Sequence, residues 1–261
     1  MPDPVQVLAE RVRNQETMEA LSPELVIAQY LLLPGLRAFW PMSSVSWLGV
    51  DQARDFSGGG LHLTNNNSAD FGYDGLAPYV DFDGVNQYLS RADGGAGNWA
   101  DIVGTETYIV AAQRGLTTGG WWYFDSVAAT PRLVSKNDGI AAATSSYLLY
   151  GGGTANFAVY SGANTYAVTG SALTTGTWYY IVGRYVPSIE RAIFVNNVVA
   201  TNNAPATPAN INDSAAPVEI GATAGTRNLS GKASLVFLCA AALSDEIILA
   251  LFQQSRGLFG V

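Results

Sequence analysis

Leu36-Arg37-Ala38-Phe39-Trp40-Pro41-Met42-Ser43-Ser44, followed by Asp55-Phe56-Ser57-Gly58-Gly59-Gly60, is the stretch that decides the fold. It reads as an apolar-aromatic strand, a polar loop and then an Asp-x-Ser-Gly-Gly turn. Aromatic residues suit a pleated, buried surface, and Asp, Ser and Gly supply turn geometry.

The same alternation of strand and turn continues toward the carboxyl terminus. Tyr79-Val80-Asp81-Phe82-Asp83-Gly84 alternates and ends on a glycine turn. Glu106 to Ala112 predicts a central strand, and Trp178 to Tyr185 is dense in β-forming residues. Ala192–Val195 and Val198–Thr201 flank Asn196-Asn197, a two-residue hairpin turn in which Asn tolerates positive φ. Many short strands separated by Gly, Asn and Pro mean a sandwich or barrel. Residues 202–217, rich in Asn, Ala and Pro, read as an ordered surface loop or a flexible excursion. Ser244-Asp245-Glu246 caps a short closing helix running to about Gln253, with acidic residues at its positive end.

Toward the amino terminus the pattern differs. Asp3-Pro4 starts a helix, with Val5, Leu8 and Val12 on one stripe. Ser22-Pro23-Glu24 starts a second, Leu25 to about Leu33, which Pro34-Gly35 stops. Two helices of this size cannot form their own core. They lie on the sandwich, or they form an arm that docks or oligomerises. The division expected is a helical arm over 1–35 and a sandwich over 36–261.

Only 13 % of the 261 residues are charged and the formal net charge is −8. That balance argues against nucleic acid, whose binding rests on Lys and Arg at phosphates, and against anionic membranes. No apolar run reaches the roughly 18–20 residues of a membrane span, and no secretory signal is evident. A chain this long buries roughly 70–75 % of its unfolded surface, so it needs no disulfide or metal for a core. The lone Cys239 sits in Ser234–Ala240, a buried-strand pattern, and reads as a packed thiol.

Taken together these motifs resemble a laminin-G-like module of the concanavalin A-like lectin/glucanase superfamily, over about residues 36–257. The Phe-Asp-Gly step is Phe82-Asp83-Gly84, and the Gly-x-Trp strand is Gly176-Thr177-Trp178 after Leu173. The later Ile-Gly step is Ile220-Gly221, and the closing pattern is Ala242-Leu243-Ser244-Asp245-Glu246-Ile247. Leu33-Pro34-Gly35-Leu36 with Trp40 is similar to phage and bacterial surface versions. An acidic residue common after Ser230-Gly231 is replaced here by apolar Ala233 to Val236. The resemblance implies an all-β fold: a two-sheet antiparallel jelly-roll sandwich, here with a short helical amino-terminal arm and a short carboxyl-terminal helix.

Catalytic chemistry is hard to assemble from these residues. Glycoside hydrolases on this fold carry carboxylates at alternate positions of one strand, Glu-x-Asp-x-x-Glu, and no such run exists. Asp81 and Asp83 have same-face spacing but no third acid, and Asp83 is explained by its turn. His62, the single histidine, alternates with leucines on a predicted solvent-facing strand. The resemblance raises Ca2+ at the sandwich rim, with Asp51, Asp55, Asp83, Asp138, Asn65, Asn66 and Asn67 as candidate oxygens. Turn formation explains each of these equally well. Gly119-Gly120-Trp121-Trp122-Tyr123-Phe124 offers aromatic rings for sugar stacking, and Trp121 and Tyr123 are the candidate ligand-binding residues. On the competing reading Trp122 and Phe124 are core while Trp121 and Tyr123 cover an edge. Trp40, Trp47, Trp99 and Trp178 read as packing residues.

The function expected is therefore a non-enzymatic virion protein, a decoration or tail-associated component of a phage particle. It would dock to other virion proteins through its amino-terminal arm, form a homo-oligomer and bind surface glycans. The alternative is a lectin not tied to a virion, extracellular or at a cell surface; a divergent hydrolase or lyase is the remote one.

Overall fold

The computed structural model describes residues 22–42, 52–74, 77–93, 115–128 and 130–261. The first predicted helix, Asp51, Trp47, Trp99 and the predicted strand Glu106–Ala112 lie outside the described residues.

The strands in chain order are β1 (Leu36–Trp40), β2 (Gln52–Ala53), β3 (Leu63–Asn66), β4 (Asp70–Asp74), β5 (Ala77–Asp83), β6 (Tyr88–Arg91), β7 (Leu116–Phe124) and β8 (Arg132–Lys136). They continue as β9 (Tyr147–Tyr150), β10 (Thr154–Ser161), β11 (Asn164–Ala172), β12 (Trp178–Val186), β13 (Glu190–Val195), β14 (Val198–Asn202), β15 (Val218–Ile220) and β16 (Ser230–Cys239). Two helices flank them, α1 (Pro23–Tyr30) and α2 (Asp245–Ser255). All described pairings are antiparallel. The first sheet runs β14-β13-β12-β7-β16-β5-β4; the second runs β11-β10-β9-β8-β15-β6-β3-β2. One flank of β16 is shared: β5 pairs with its first residues, and β1 pairs with Val236 to Cys239.

The sheets face each other across one core that includes Trp40, Val80, Phe82, Trp122, Phe124, Leu149, Phe157, Ile181 and Ile220. A second core covers the other face of the first sheet. There Phe39, Trp121, Tyr180, Phe194 and Phe237 pack against Tyr30 of α1, Phe252 of α2 and the carboxyl-terminal Phe259. The molecule thus has three layers, and neighbours along one strand belong to different cores: Phe39 and Trp40, Trp121 and Trp122, Phe237 and Leu238. A half-buried antiparallel sheet would alternate apolar and polar residues. Here both faces are covered, so the central strands β7, β12 and β16 are buried along nearly their whole length.

Local signals place the elements well. Asn196 takes φ +56° in the β13–β14 turn, and Gly84 takes φ +74° after β5. The Ser244 side chain accepts from the Ile247 N–H at 3.5 Å, capping α2. Arg184 donates to the Leu243 carbonyl at 2.9 Å and pairs with Asp245 and Glu190, fastening the start of α2 to the sheet. In the opening stretch, Asp55 is buried and its carboxylate accepts from the N–H groups of Phe39 (3.0 Å), Ser57 (2.8 Å) and Leu61 (2.9 Å). It also accepts from the Ser57 hydroxyl at 2.8 Å, so the Asp-x-Ser-Gly-Gly loop is pinned to β1 through one side chain.

The division at residue 35 needs correction. Val26, Tyr30 and Leu33 are buried in the second core, and the Tyr30 ring stacks on Phe39 at 4.7 Å. The second helix of the expected arm is therefore part of the sandwich's cover. Residues 202–217 are an ordered loop: Lys136 donates to the carbonyls of Ser214 and Ala216, and the Tyr185 hydroxyl to that of Pro208 at 2.7 Å. Cys239 is fully buried, and burial pushes its thiol pKa up.

Candidate functional site

The candidate aromatic platform is dismantled by the second core. Trp121 is fully buried; it stacks on Phe259 at 4.2 Å and its indole N–H donates to the Ser255 hydroxyl at 2.9 Å. It has no ring face to offer a sugar, because α2 and the chain end cover that side of the sheet. Tyr123 is half-buried beside it, with Trp178 at 5.7 Å and the Lys232 ammonium 5.4 Å from its ring centre. The two residues share a face, as alternation requires, but as packing partners.

The calcium candidates are bound up in turns. Asp55 is saturated by the donors named above. Asp83 accepts from the N–H groups of Val85, Asn86 and Gln87. Burial works against its charge, but these donors outweigh it and hold the carboxyl below the usual range. Asn65 closes onto Ala69, Asn66 onto the Ser90 hydroxyl at 2.9 Å, and Asn67 onto Asn86. Among the described residues no group of three or more His, Cys, Asp or Glu is gathered. His62 is half-buried, not solvent-facing, and its Nδ1 accepts from the Asp55 N–H at 3.1 Å. Asp81 is raised in pKa by burial, against the nearby Lys232, and Asp83 belongs to its turn; the two do not form an acid–base pair.

A different site emerges on the outer face of the second sheet. A pocket of about 210 Å3 is lined by Arg132, Asn137, Ile140, Tyr160, Thr223 and Arg227, with Gly139, Ala141, Ala142, Ser145 and Thr226. Each wall has its own support. Asp138 accepts from the N–H groups of Ile140 (3.0 Å) and Ala141 (3.2 Å) and from the Thr144 and Ser145 hydroxyls, which sets the 137–145 loop. The Thr144 hydroxyl is the largest contributor to its lowered pKa. Asn212 ties this loop to β10, donating to the carbonyls of Ala142 and Gly162 and accepting from the Gly162 N–H at 2.7 Å. On the opposite wall Thr223 and Thr226 exchange backbone hydrogen bonds of 2.9 and 2.8 Å. The Arg132 N–H donates to the Arg227 carbonyl at 3.1 Å, which joins that turn to β8.

Two buried polar atoms among these residues have no partner within the described structure: Arg132 Nε and the Thr223 hydroxyl. Both atoms lie beneath the pocket surface, while the pocket itself is lined by the side chains of Arg132, Asn137, Tyr160 and Arg227. The Arg132 guanidinium lies 4.8 Å over the Tyr150 ring, which orients it. Tyr160 is raised in pKa by burial, with Arg132 opposing. The volume falls below the roughly 300–1,000 Å3 of sites that engulf a drug-sized ligand, which suits one terminal residue of a larger molecule.

Of these residues only Asp138, which supports the loop, was among the sequence candidates. The others come from separated segments with no shared spacing. The one available signal was scarcity: a chain with 13 Lys and Arg in all places two arginines at one pocket.

Comparison with known proteins agrees with this architecture. A laminin-G-type model of the concanavalin A-like lectin/glucanases superfamily matches residues 93–248. A comparison with curated protein sequences finds no match. Among solved structures, the binding domain of Paraclostridial Mosquitocidal Protein 1 aligns with TM-score 0.61 and 12 % identity, covering 86 % of this chain and 52 % of that one. Botulinum neurotoxin type C, whose cell entry depends on interaction with two ganglioside molecules, aligns with TM-score 0.58 and 10 % identity, covering 88 % and 53 %. Trypanosoma rangeli sialidase in complex with sialic acid aligns with TM-score 0.57 and 14 % identity, covering 98 % and 38 %. The chain spans about half the length of the toxin structures, and at these identities the likeness is one of fold. With the family match extending over more than half of its residues, the chain belongs to the concanavalin A-like lectin/glucanases superfamily.

Proposed function

We propose that the protein is a non-enzymatic carbohydrate-binding module whose sugar site is the Arg132–Tyr160–Arg227 pocket. The observation that carries this is the preorganised, outward-facing pocket itself, which gathers two arginines, a tyrosine, an asparagine and two threonines on the outer face of the second sheet. Ile140, 89 % exposed at its rim, offers an apolar edge beside these donors. A sugar ring presents the same mixture, C–H faces next to hydroxyls. The fold-level likeness to a toxin that interacts with gangliosides and to a sialidase holding sialic acid supports a glycan ligand. A glycan array probed first with calcium and then with EDTA tests the reading, and the account expects binding that survives EDTA. Ala141→Trp, which plugs the pocket from an exposed position, should weaken binding at least about tenfold, or ~1.4 kcal/mol, with Tm unchanged. Undiminished binding by this variant removes the pocket from the account, and sustained release of reducing ends by the purified protein would contradict the non-enzymatic reading.

In its fuller form the proposal sets this module on a virion, as a decoration or tail-associated protein assembled through its amino-terminal segment; the alternative is a lectin at a cell surface. Because α1 is committed to the sandwich, docking falls to residues 1–21, whose stripe of Val5, Leu8 and Val12 is apolar. A protein lacking residues 1–21 should keep its Tm and lose particle incorporation and self-association. Normal assembly by the truncated protein would sink the docking role.

A further inference from the structure

Resting on that glycan-binding reading, we propose that the pocket selects acidic saccharides, with Arg132 and Arg227 together receiving a carboxylate or sulfate of the sugar. Both guanidinium-bearing side chains line the same pocket. Among the described residues neither forms an ion pair with a carboxylate, whereas the buried Arg184 and Lys136 both do. Arg227 donates from Nη1 to the Thr130 hydroxyl at 2.9 Å, which leaves its other donors open. Arg132 is held over Tyr150 with Nε buried and unpaired. Two like charges in one partly desolvated place repel, and an anion between them removes that cost.

The acids nearby do not supply this anion. Asp138 is spent on the hydroxyls of Thr144 and Ser145 and the N–H groups of Ile140 and Ala141. Glu219 is buried beside the 223–226 turn, where it accepts from the N–H groups of Gly225 and Ala224, and among the described residues it forms no ion pair with either arginine. Burial first, and then Arg227, lower the pKa of Arg132, in keeping with two cations that lack a counterion. The placement also runs against the chain's overall charge of −8, so a general positive surface does not explain it. Arginine forks match the oxyanion geometry of carboxylate and sulfate, and Thr223 and Asn137 are placed for neighbouring hydroxyls.

The test is an array of paired glycans. Each acidic member, carrying sialic acid, a uronic acid or a sulfated sugar, stands beside its carboxyl-reduced or desulfated counterpart. Wild-type protein should prefer the acidic members by roughly tenfold or more, the worth of one charge-assisted hydrogen bond. Arg227→Gln, at an exposed position, should lose most of that preference at unchanged Tm, and Arg227→Lys should retain part of it. The carboxylated and sulfated halves of the array show which oxyanion is taken. Equal binding of acidic and neutral partners overturns acid selection, a preference that survives Arg227→Gln overturns its assignment to the two arginines, and either result leaves glycan binding standing. Failure to bind any member overturns both.

Discussion

Trp121→Ala is expected to destabilise the protein by about 3–5 kcal/mol, the usual cost of truncating a fully buried aromatic residue. The ring is fully buried and lies between Tyr180 (5.3 Å), Phe252 (5.8 Å) and Phe259 (4.2 Å), so truncation leaves a cavity at the seam of sheet, helix and chain end. It also strands the Ser255 hydroxyl from its donor. For a chain of this length the loss corresponds to roughly 10 °C in Tm. Thermal unfolding followed by tryptophan fluorescence or calorimetry measures it directly. Glycan affinity of the folded fraction should not change, because Trp121 and the pocket belong to the outer faces of different sheets. A variant with normal Tm and lost glycan binding would restore Trp121 as a sugar platform and remove the second core from this account.

Gly231→Ala should have an effect of similar size for a different reason. Gly231 adopts φ +141°, and a Cβ there would sit 2.0 Å from the Tyr123 carbonyl oxygen. The clash is with backbone in the adjoining strand β7, at the Gly231–Phe124 register of a central pair, so no side-chain rotation relieves it. Strand displacement and the disfavoured φ together cost roughly 2–6 kcal/mol. Gly58→Ala is the control: φ is +88°, but nothing lies within 4 Å, so the cost is only the conformational ~1–2 kcal/mol. Chemical denaturation of the two variants should separate them clearly. Equal, small losses would mean that β16 and β7 are not registered as described.

How much of this could be read from the chain follows from how local each cause is. The Asn196-Asn197 turn, the Ser244 cap, the Trp178–Tyr185 strand and the Phe82-Asp83-Gly84 step depend on neighbours within a few residues, and each took its expected form. The two sheets and their antiparallel pairing were legible for the same reason. Trp121 was harder. Alternation placed Trp121 and Trp122 on opposite faces, but nothing near residue 121 says that Phe252 and Phe259 will cover its side. Likewise the start of α1 at Ser22-Pro23-Glu24 could be seen, while the partner of its Tyr30, Phe39, is known only once β1 is paired with β16. The pocket was least legible of all. Arg132, Tyr160 and Arg227 meet because β8, β10 and the Thr223–Thr226 turn converge, and no spacing in sequence encodes that convergence.

The most direct test of the central claim is a crystal structure of the protein with the strongest array ligand bound. The account predicts the sugar in the pocket between Tyr160, Arg132 and Arg227, with hydrogen bonds to the guanidinium groups of Arg132 and Arg227 and its apolar face toward Ile140. A ligand seated instead beside Tyr123 and Lys232, with the pocket empty, would contradict it.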